Sequence, residues 1–458
     1  MRLPEAVVTY VTMCLNQQFS GFLMRIPVLI DRRAVWRVRR RWLYLCLFWL
    51  GAIMTGLVAV MYARLIDFGY DMFLRMTAYR WWLPLVVTPG VAAIGAWMTR
   101  RWFAGSEGSG IPQVIATLHD VRETGPRLLT LRILIGKIAV SFLAILGGFT
   151  IGREGPTIHV GAALMFSLRR FYPARLRSIY SVGLEHKLAL AGAAAGLSAA
   201  FNAPLAGVVF AIEELTRSFE QRTSGVLITA IIFSGVVSLA LQGNYVYFGT
   251  IAVDGRFPNL LALAVIMVGV TTGVAGGVFC WLLLNTARWM PVSLHTLRTQ
   301  RPVAFGAVCG LFIAVIGVTS GGHLFGSGYV EARHMLEGNS QLGAAYPLLK
   351  MASMIGSYLP GTPGGLFAPS LAIGAGVGNA LHTVFSQMQL PMLIALGMVG
   401  YLAAVTQSPI TAFVIVVEMI DGHALVISLM GTALISSQIS KLFVPPLYET
   451  LAKRYSHS

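Results

Sequence analysis

Charge is what this sequence has least of. Asp, Glu, Lys and Arg make up 11% of the 458 residues, against roughly a quarter in a soluble domain, whose surface must be solvated. The shortage is concentrated in long runs. Between Arg301 and Glu331 lie 29 uncharged residues, between Arg256 and Arg288 31, and between Lys350 and Glu418 67. A helix needs about 20 apolar residues to cross a hydrocarbon core, so the longest run has room for more than two crossings. With 56% hydrophobic residues overall, the chain is expected to be an all-α polytopic membrane protein. Soluble enzymes and secreted disulfide-stapled domains are excluded.

Cysteine is also sparse. Cys14, Cys46, Cys280 and Cys309 are scattered, and no pair has metal-ligand spacing. They read as small apolar residues in packed helices. His159, His323 and His382 stand alone, so no metal site and no cofactor is expected. The first residues lack a short apolar core followed by a small-residue cleavage site, so no signal peptide is expected.

The charge that is present is mostly positive: 34 Lys and Arg against 18 Asp and Glu, a net +16. A nucleic-acid binder would carry its basic residues on a solvated face or arm. Here they sit beside apolar spans, the densest cluster being Arg32, Arg33, Arg37, Arg39, Arg40 and Arg41 ahead of the first long apolar run. Basic residues flanking a span mark the cytoplasmic side. That accounts for the charge without nucleic acid and predicts a cytoplasmic amino end. Arg100 and Arg101 come back to the same side after two spans, as do Lys453 and Arg454 at the carboxyl end.

Glycine, by contrast, is abundant, with 49 residues, and there are 20 prolines. Gly269, Gly273 and Gly277 fall on one helix face, as do Gly192 with Gly196 and Gly374 with Gly378, a spacing that lets helix backbones approach closely. Three other clusters would break a helix: Gly108-Ser109-Gly110-Ile111-Pro112, Gly152-Arg153-Glu154-Gly155-Pro156 and Gly361-Thr362-Pro363-Gly364-Gly365-Leu366-Phe367-Ala368-Pro369. Each precedes an apolar run, which predicts a helix start, where proline costs nothing. Irregular backbone at membrane depth is tolerated only where it is buried in protein or lines a cavity. A helix amino end carries unpaired N–H groups and about half a positive charge, so it attracts anions. Three such ends together predict an anion pathway.

The landmarks recur in order. Gly108-Ser109-Gly110-Ile111 returns as Gly326-Ser327-Gly328-Tyr329, and Gly155-Pro156 is matched by Ala368-Pro369. Pro204 precedes Glu213 by nine positions, as Pro409 precedes Glu418. Duplicated halves with interrupted helices point to a transporter fold with its site at the repeat interface. The residues leave open whether the repeats are inverted. The first repeat is placed at about 82–243 and the second at about 256–440, with tilted, partial spans expected.

Acidic residues inside a membrane chain are functional candidates. Glu154 lies in the second break, where an ionised carboxylate would occupy the place an anion would take. It is read as a gate that also carries a proton. Glu213 and Glu214 end an apolar segment beginning near Leu188. Adjacent helix positions point about 100° apart, so both cannot face one pathway: one is read as a structural partner and the other as a proton-relay member. Lys137 either biases the anion path or pairs with a carboxylate, structural pairing being preferred. Arg153 either draws anions to an entrance or forms an ion pair. A membrane enzyme using Glu154 as acid or base would need a second catalytic group. None stands out, so no enzymatic activity is expected.

Together these motifs resemble the CLC family of chloride channels and chloride/proton antiporters, from about residue 40 to about residue 455. The three glycine-rich motifs, followed by Tyr448, carry the resemblance. It implies a fold of many tilted, partly re-entrant helices in two inverted repeats, assembled as a homodimer with one pore per subunit. It implies chloride held by the hydroxyls of Ser109 and Tyr448 and by the backbone N–H groups of Leu366 and Phe367. Glu154 matches the family's external gating glutamate and Glu214 its internal proton glutamate. A proline in place of the serine is associated with nitrate preference, so Ser109 favours chloride. Channel members usually lack the internal carboxylate, so Glu214 favours chloride/proton antiport over the alternative, a passive gated channel.

The expected organisation is a basic cytoplasmic segment, 1–41, one transmembrane domain, 42–455, and a short cytoplasmic tail, 449–458. Regulatory CBS domains are not expected. The expected surroundings are the lipid bilayer of the inner membrane and the expected partners chloride, protons and a second copy of the chain.

Overall fold

Inside hydrocarbon a backbone must satisfy its own hydrogen bonds, and a helix does so within one segment. The computed structural model of the chain obeys this rule. Among the described residues the one β-type pairing is an isolated antiparallel bridge between Gly152 and Gly365. The structure describes residues 32–172, 174–216, 221–243, 247–249, 260–339 and 342–456. Leu47–Ser458 forms one compact unit and Met1–Cys46 a separate one, described only from Arg32, in a helix. The expectations for Cys14, Arg256 and the side chains of the Arg32–Arg41 cluster lie outside the described residues.

The first helix is α1 (Arg32–Tyr79). Short helical turns aside, a first series comes next: α2 (Pro84–Arg101), α3 (Ile111–His119), α4 (Leu131–Leu146), α5 (Glu154–Ser167), α6 (Ala174–Phe201), α7 (Pro204–Phe210) and α8 (Gln221–Gln242). Between the series lie α9 (Leu261–Leu284) and α10 (Val292–Gln300). The second series is α11 (Pro302–Thr319), α12 (Tyr329–Leu336), α13 (Tyr346–Tyr358), α14 (Phe367–Leu381), α15 (Leu390–Thr406), α16 (Pro409–Ile420) and α17 (Val426–Phe443), and α18 (Leu447–Ser456) closes the chain. Among the described residues five stretches are long and apolar enough to cross a membrane: Tyr44–Tyr79, Gly225–Gln242, Leu261–Leu284, Pro302–Thr319 and Val426–Phe443. α14, α15 and α16 are apolar but shorter, in keeping with spans of uneven length.

The two series share their local conformations. Gly108 (φ 60°) and Gly110 (φ 94°) lead into α3; Gly326 (φ 65°) and Gly328 (φ 81°) lead into α12. These left-handed values are open to glycine without the steric cost other residues meet. Asn202 (φ 53°) and Gln407 (φ 57°) both turn the chain two positions before a proline that starts a helix. The apolar segment running from Leu188 toward Glu214 is therefore not one helix: α6 stops at Phe201 and α7 restarts at Pro204. α7 then widens into a π-turn, Ala211–Thr216, carrying Glu213 and Glu214.

Packing within each series is also alike. α5 lies on α6 and α14 on α15, in both cases through facing glycines. A Cβ at Gly161 would overlap the carbonyl of Gly192, and one at Gly374 the carbonyl of Gly397. Gly269 and Gly273 face Ile435 and Ile439 of α17 in the same way. Without a hydrophobic drive between helices in lipid, this closeness supplies dispersion contacts that bulkier residues would prevent.

The two series are locked by a reciprocal exchange. The Glu213 carboxylate accepts from the N–H groups of Ile410 (3.1 Å) and Thr411 (2.6 Å) at the start of α16. The Glu418 carboxylate, near the end of α16, accepts from Leu205 (3.1 Å) and Ala206 (2.7 Å) at the start of α7. Each helix thus places its end beside the other's beginning, so the pair runs antiparallel, as inverted repeats require. Both carboxylates also complement a helix dipole. Replacing Glu213 or Glu418 by Ala should each cost about 1–2 kcal/mol and lower the thermal unfolding midpoint in detergent by a few degrees. An unchanged midpoint would mean the exchange does not hold the halves together.

Candidate functional site

Three of the expected helix starts form where the glycine clusters lie: α3 begins at Ile111, α5 at Glu154 and α14 at Phe367. Far apart in sequence, they meet in space. The Gly152 N–H donates to the Gly365 carbonyl (2.8 Å) and the Gly365 N–H to that of Gly152 (2.7 Å). The Gly364 N–H donates to the Gly108 carbonyl (3.1 Å). A Cβ at Gly155 would sit 2.9 Å from the Ser109 carbonyl oxygen and 3.1 Å from the Gly365 Cα. Glycine at these positions is what lets the three amino ends converge.

The side chains around this point are buried and polar. Ser109 is fully buried, and its Oγ accepts from the Ile111 N–H (3.3 Å), which leaves the hydroxyl proton to be donated elsewhere. Tyr448 comes from α18, which packs on α3. It is 1% exposed, and its hydroxyl has no hydrogen-bond partner among the described residues. A buried hydroxyl without a partner is costly unless a ligand completes it. The Phe367 ring lies 6.3 Å from that of Tyr448, 5.9 Å from Phe201 and 6.3 Å from Phe210, so the point is walled by aromatic rings. Leu366 caps α14 and is buried beside Phe367.

Glu154 opens α5 and is 1% exposed. Its carboxylate faces its own N–H and that of Ala368, in the first turn of α14. Its Oε2 has no hydrogen-bond partner among the described residues. The acidic group thus lies over the amino end of the helix that Leu366 and Phe367 begin. Arg153, beside Glu154, is held by an ion pair. It pairs with Asp67 at 2.9 Å and lies over the Tyr247 ring at 5.7 Å, the ion-pair alternative of the two considered.

Lys137 finds no carboxylate partner among the described residues. Its Nζ donates to the carbonyls of Glu107 (3.3 Å) and Gly108 (2.9 Å), because the left-handed turn leaves those oxygens unpaired by helix. It therefore pins the Ser109 turn. Glu213 and Glu214 both reach the start of α16 but take different groups there. Glu213 caps α16, whereas the buried Glu214 accepts a short hydrogen bond from the hydroxyl of Ser408, just ahead of α16.

Three contributors were not singled out from the sequence. The Lys350 Nζ donates to the carbonyls of Leu324 (3.0 Å), Phe325 (3.1 Å) and Gly326 (3.1 Å), the counterpart of Lys137. Each lysine precedes the first residue of a broken helix by seventeen positions, 137 to 154 and 350 to 367, a spacing that could have revealed it. The Tyr358 hydroxyl faces the Ser109 N–H, and Ser408 holds Glu214. Neither leaves a pattern in the sequence.

Two cavities approach this buried point. One, of about 440 Å³, is lined by Glu154, Arg153, Asp67 and Tyr329. The other, of about 710 Å³, reaches Gly108, Pro112 and Tyr358. Ser109, Phe367 and Tyr448 line neither. Fold and site together define a helical membrane-type protein in which three helix amino ends converge on a buried polar point approached by two cavities.

Comparison with known proteins agrees with that class. Residues 90–441 match the family described as voltage gated chloride channel, and the chain belongs to this family, the CLC proteins. It is 28% identical over 419 residues to the H(+)/Cl(-) exchange transporter ClcA of Salmonella arizonae, covering 88% of this chain and 86% of the relative, with the same values for ClcA of Salmonella paratyphi B. In fold it resembles the crystal structure of a slow cyanobacterial Cl−/H+ antiporter, with a TM-score of 0.76 at 23% identity, covering 91% of this chain and 98% of that one. It also resembles a CLC-type fluoride/proton antiporter, with a TM-score of 0.73 at 19% identity, covering 87% and 95%.

Bromide soaked into crystals should give an anomalous peak within hydrogen-bond distance of the Tyr448 and Ser109 hydroxyls. Tyr448→Phe should weaken that peak without moving the helix ends. Density elsewhere, with none at this point, would remove the site.

Proposed function

We propose that the protein exchanges chloride for protons across the inner membrane, with Glu154 as the gate. The observation that carries this reading is the Glu154 carboxylate facing the first turn of α14, the helix end whose Leu366 and Phe367 N–H groups would hold the ion. Ionised, Glu154 satisfies the positive end of the helix and excludes chloride. Protonated, it loses that attraction, and chloride held by Ser109, Tyr448 and the two N–H groups takes its place. One position thus alternates between a halide and a carboxylate, and each departure of the carboxylate carries a proton. Convergent partial charges, without a lysine or arginine in contact, hold the ion loosely enough for it to leave.

Glu214 is the inner proton donor in this scheme. It is buried, and Ser408 orients it. The relatives named as H(+)/Cl(-) exchange transporters support exchange over passive conduction, and Ser109, rather than proline, supports chloride over nitrate. Residues 42–455 act as one domain with both ends cytoplasmic, the side on which the arginines at the end of α2 fall. A second copy of the chain completes a homodimer with one pore per subunit. The chain is read as a transporter and not an enzyme.

Reconstituted in liposomes under a chloride gradient, the protein should move protons against chloride. Glu154→Gln should abolish proton movement and leave chloride flux. Glu214→Gln should reduce proton movement more than chloride. Chloride flux in the native protein without proton movement would leave only the passive channel.

A further inference from the structure

The larger cavity carries a feature that conduction of a halide does not require. Four arginines from four separate elements line it: Arg100 from the last turn of α2, Arg127 from the short helical turn Gly125–Leu128, Arg298 from the last turn of α10 and Arg454 from the last turn of α18. Glu107 is the one acidic residue in the described lining, and its carboxylate already accepts from the Gly105 N–H at 2.9 Å. No carboxylate among the described residues forms an ion pair with any of the four. Counting Glu107, the lining carries a net +3 (four arginines less one glutamate).

A cation in the last turn of a helix is ordinary, because it complements the dipole, and a basic cytoplasmic edge is ordinary in a membrane protein. Those reasons account for each arginine separately. They do not account for four converging on one cavity with a single glutamate among them. The arms are also held in place. Arg298 donates to the Thr286 hydroxyl (3.0 Å), Arg454 to the Leu284 carbonyl (3.4 Å) and Arg127 to the Tyr455 carbonyl. Arg298 is half-buried, and its guanidinium is pushed below its ordinary pKa first by burial and then by the charges of Arg454 and Arg100. This is a cluster under mutual repulsion that a bound anion would relieve.

We propose that this cavity binds a polyvalent phosphate anion, which there obstructs the approach to Gly108 and so inhibits chloride transport. Guanidinium forks match phosphate oxygens in pairs, which a spherical halide does not exploit. A volume of about 710 Å³ lies within the range of small-molecule sites, roughly 300–1,000 Å³. Two sources share this chemistry: a soluble polyphosphate such as a nucleoside triphosphate, and the phosphate of a lipid headgroup. The site is distinct from the chloride cradle, though its inhibitory effect rests on the transport reading.

The test is calorimetric titration of sodium tripolyphosphate into the full-length protein in detergent, beside chloride flux in liposomes with tripolyphosphate on both sides. Saturable binding that weakens as salt rises is expected, with inhibition of flux over the same concentrations. Arg298→Gln and Arg454→Gln should each weaken both about tenfold or more. Arg100→Gln, at an exposed position with little to disturb in folding, should do so less. Loss of the binding signal on adding phosphatidylglycerol assigns the site to a lipid headgroup; persistence assigns it to a soluble polyphosphate. No saturable binding, or binding undiminished in all three variants, overturns the proposal. Chloride flux measured without tripolyphosphate reports separately on the transport reading.

Discussion

Three helix amino ends meet at one buried point, and that convergence is the constraint on which the rest of the structure depends. Each end presents donors that nothing within its helix can satisfy. In a soluble protein water would satisfy them; at membrane depth they need an anion, a carboxylate or another stretch of backbone. The protein uses the last two. The Gly152–Gly365 bridge occupies backbone groups of two loops, and Glu154 faces the amino end of α14. What remains beside them is the buried Tyr448 hydroxyl, with no hydrogen-bond partner among the described residues.

Holding the ends together is the task of the duplicated scaffold. Lys137 and Lys350 each gather the carbonyls of a glycine turn in the apolar interior, adding a charged donor to the neutral ones that already reach most of them. Glu213 and Glu418 each close the start of the opposite repeat's helix. These four charges are structural, and each is satisfied by groups distant in sequence. This explains how a chain so poor in charge keeps Lys137 and Lys350 buried and Glu213 and Glu418 half-buried. The facing glycines of α5 with α6 and of α14 with α15 then bring the backbones close enough for the cradle to close.

How much of this could be read from the residues depended on range. The helix starts at Gly108–Pro112, Gly152–Pro156 and Gly364–Pro369 are local chemistry, and α3, α5 and α14 begin there. The spacing of Pro204 with Glu213 and of Pro409 with Glu418 revealed the duplication, but not that each glutamate serves the other's helix. That exchange links positions about two hundred apart. The angular argument gave Glu213 and Glu214 different roles, without saying which would take the N–H groups of α16 or that both would meet its start. Lys137 was open to a carboxylate partner; its carbonyl partners follow from a left-handed turn whose geometry exists only once the chain is folded. Lys350 was legible by its spacing. Tyr358 and Ser408 were not, because a tyrosine or a serine in an apolar run carries no sign of what it will face.

If a halide and the Glu154 carboxylate exclude one another from the same helix end, halide binding must be linked to proton binding. Calorimetric titration of chloride into the purified protein, in buffers of different ionisation enthalpy, measures that linkage directly. Proton uptake should accompany chloride binding across the range in which carboxylates titrate and should vanish in Glu154→Gln. Chloride binding at this site with no proton uptake in the native protein would contradict the account.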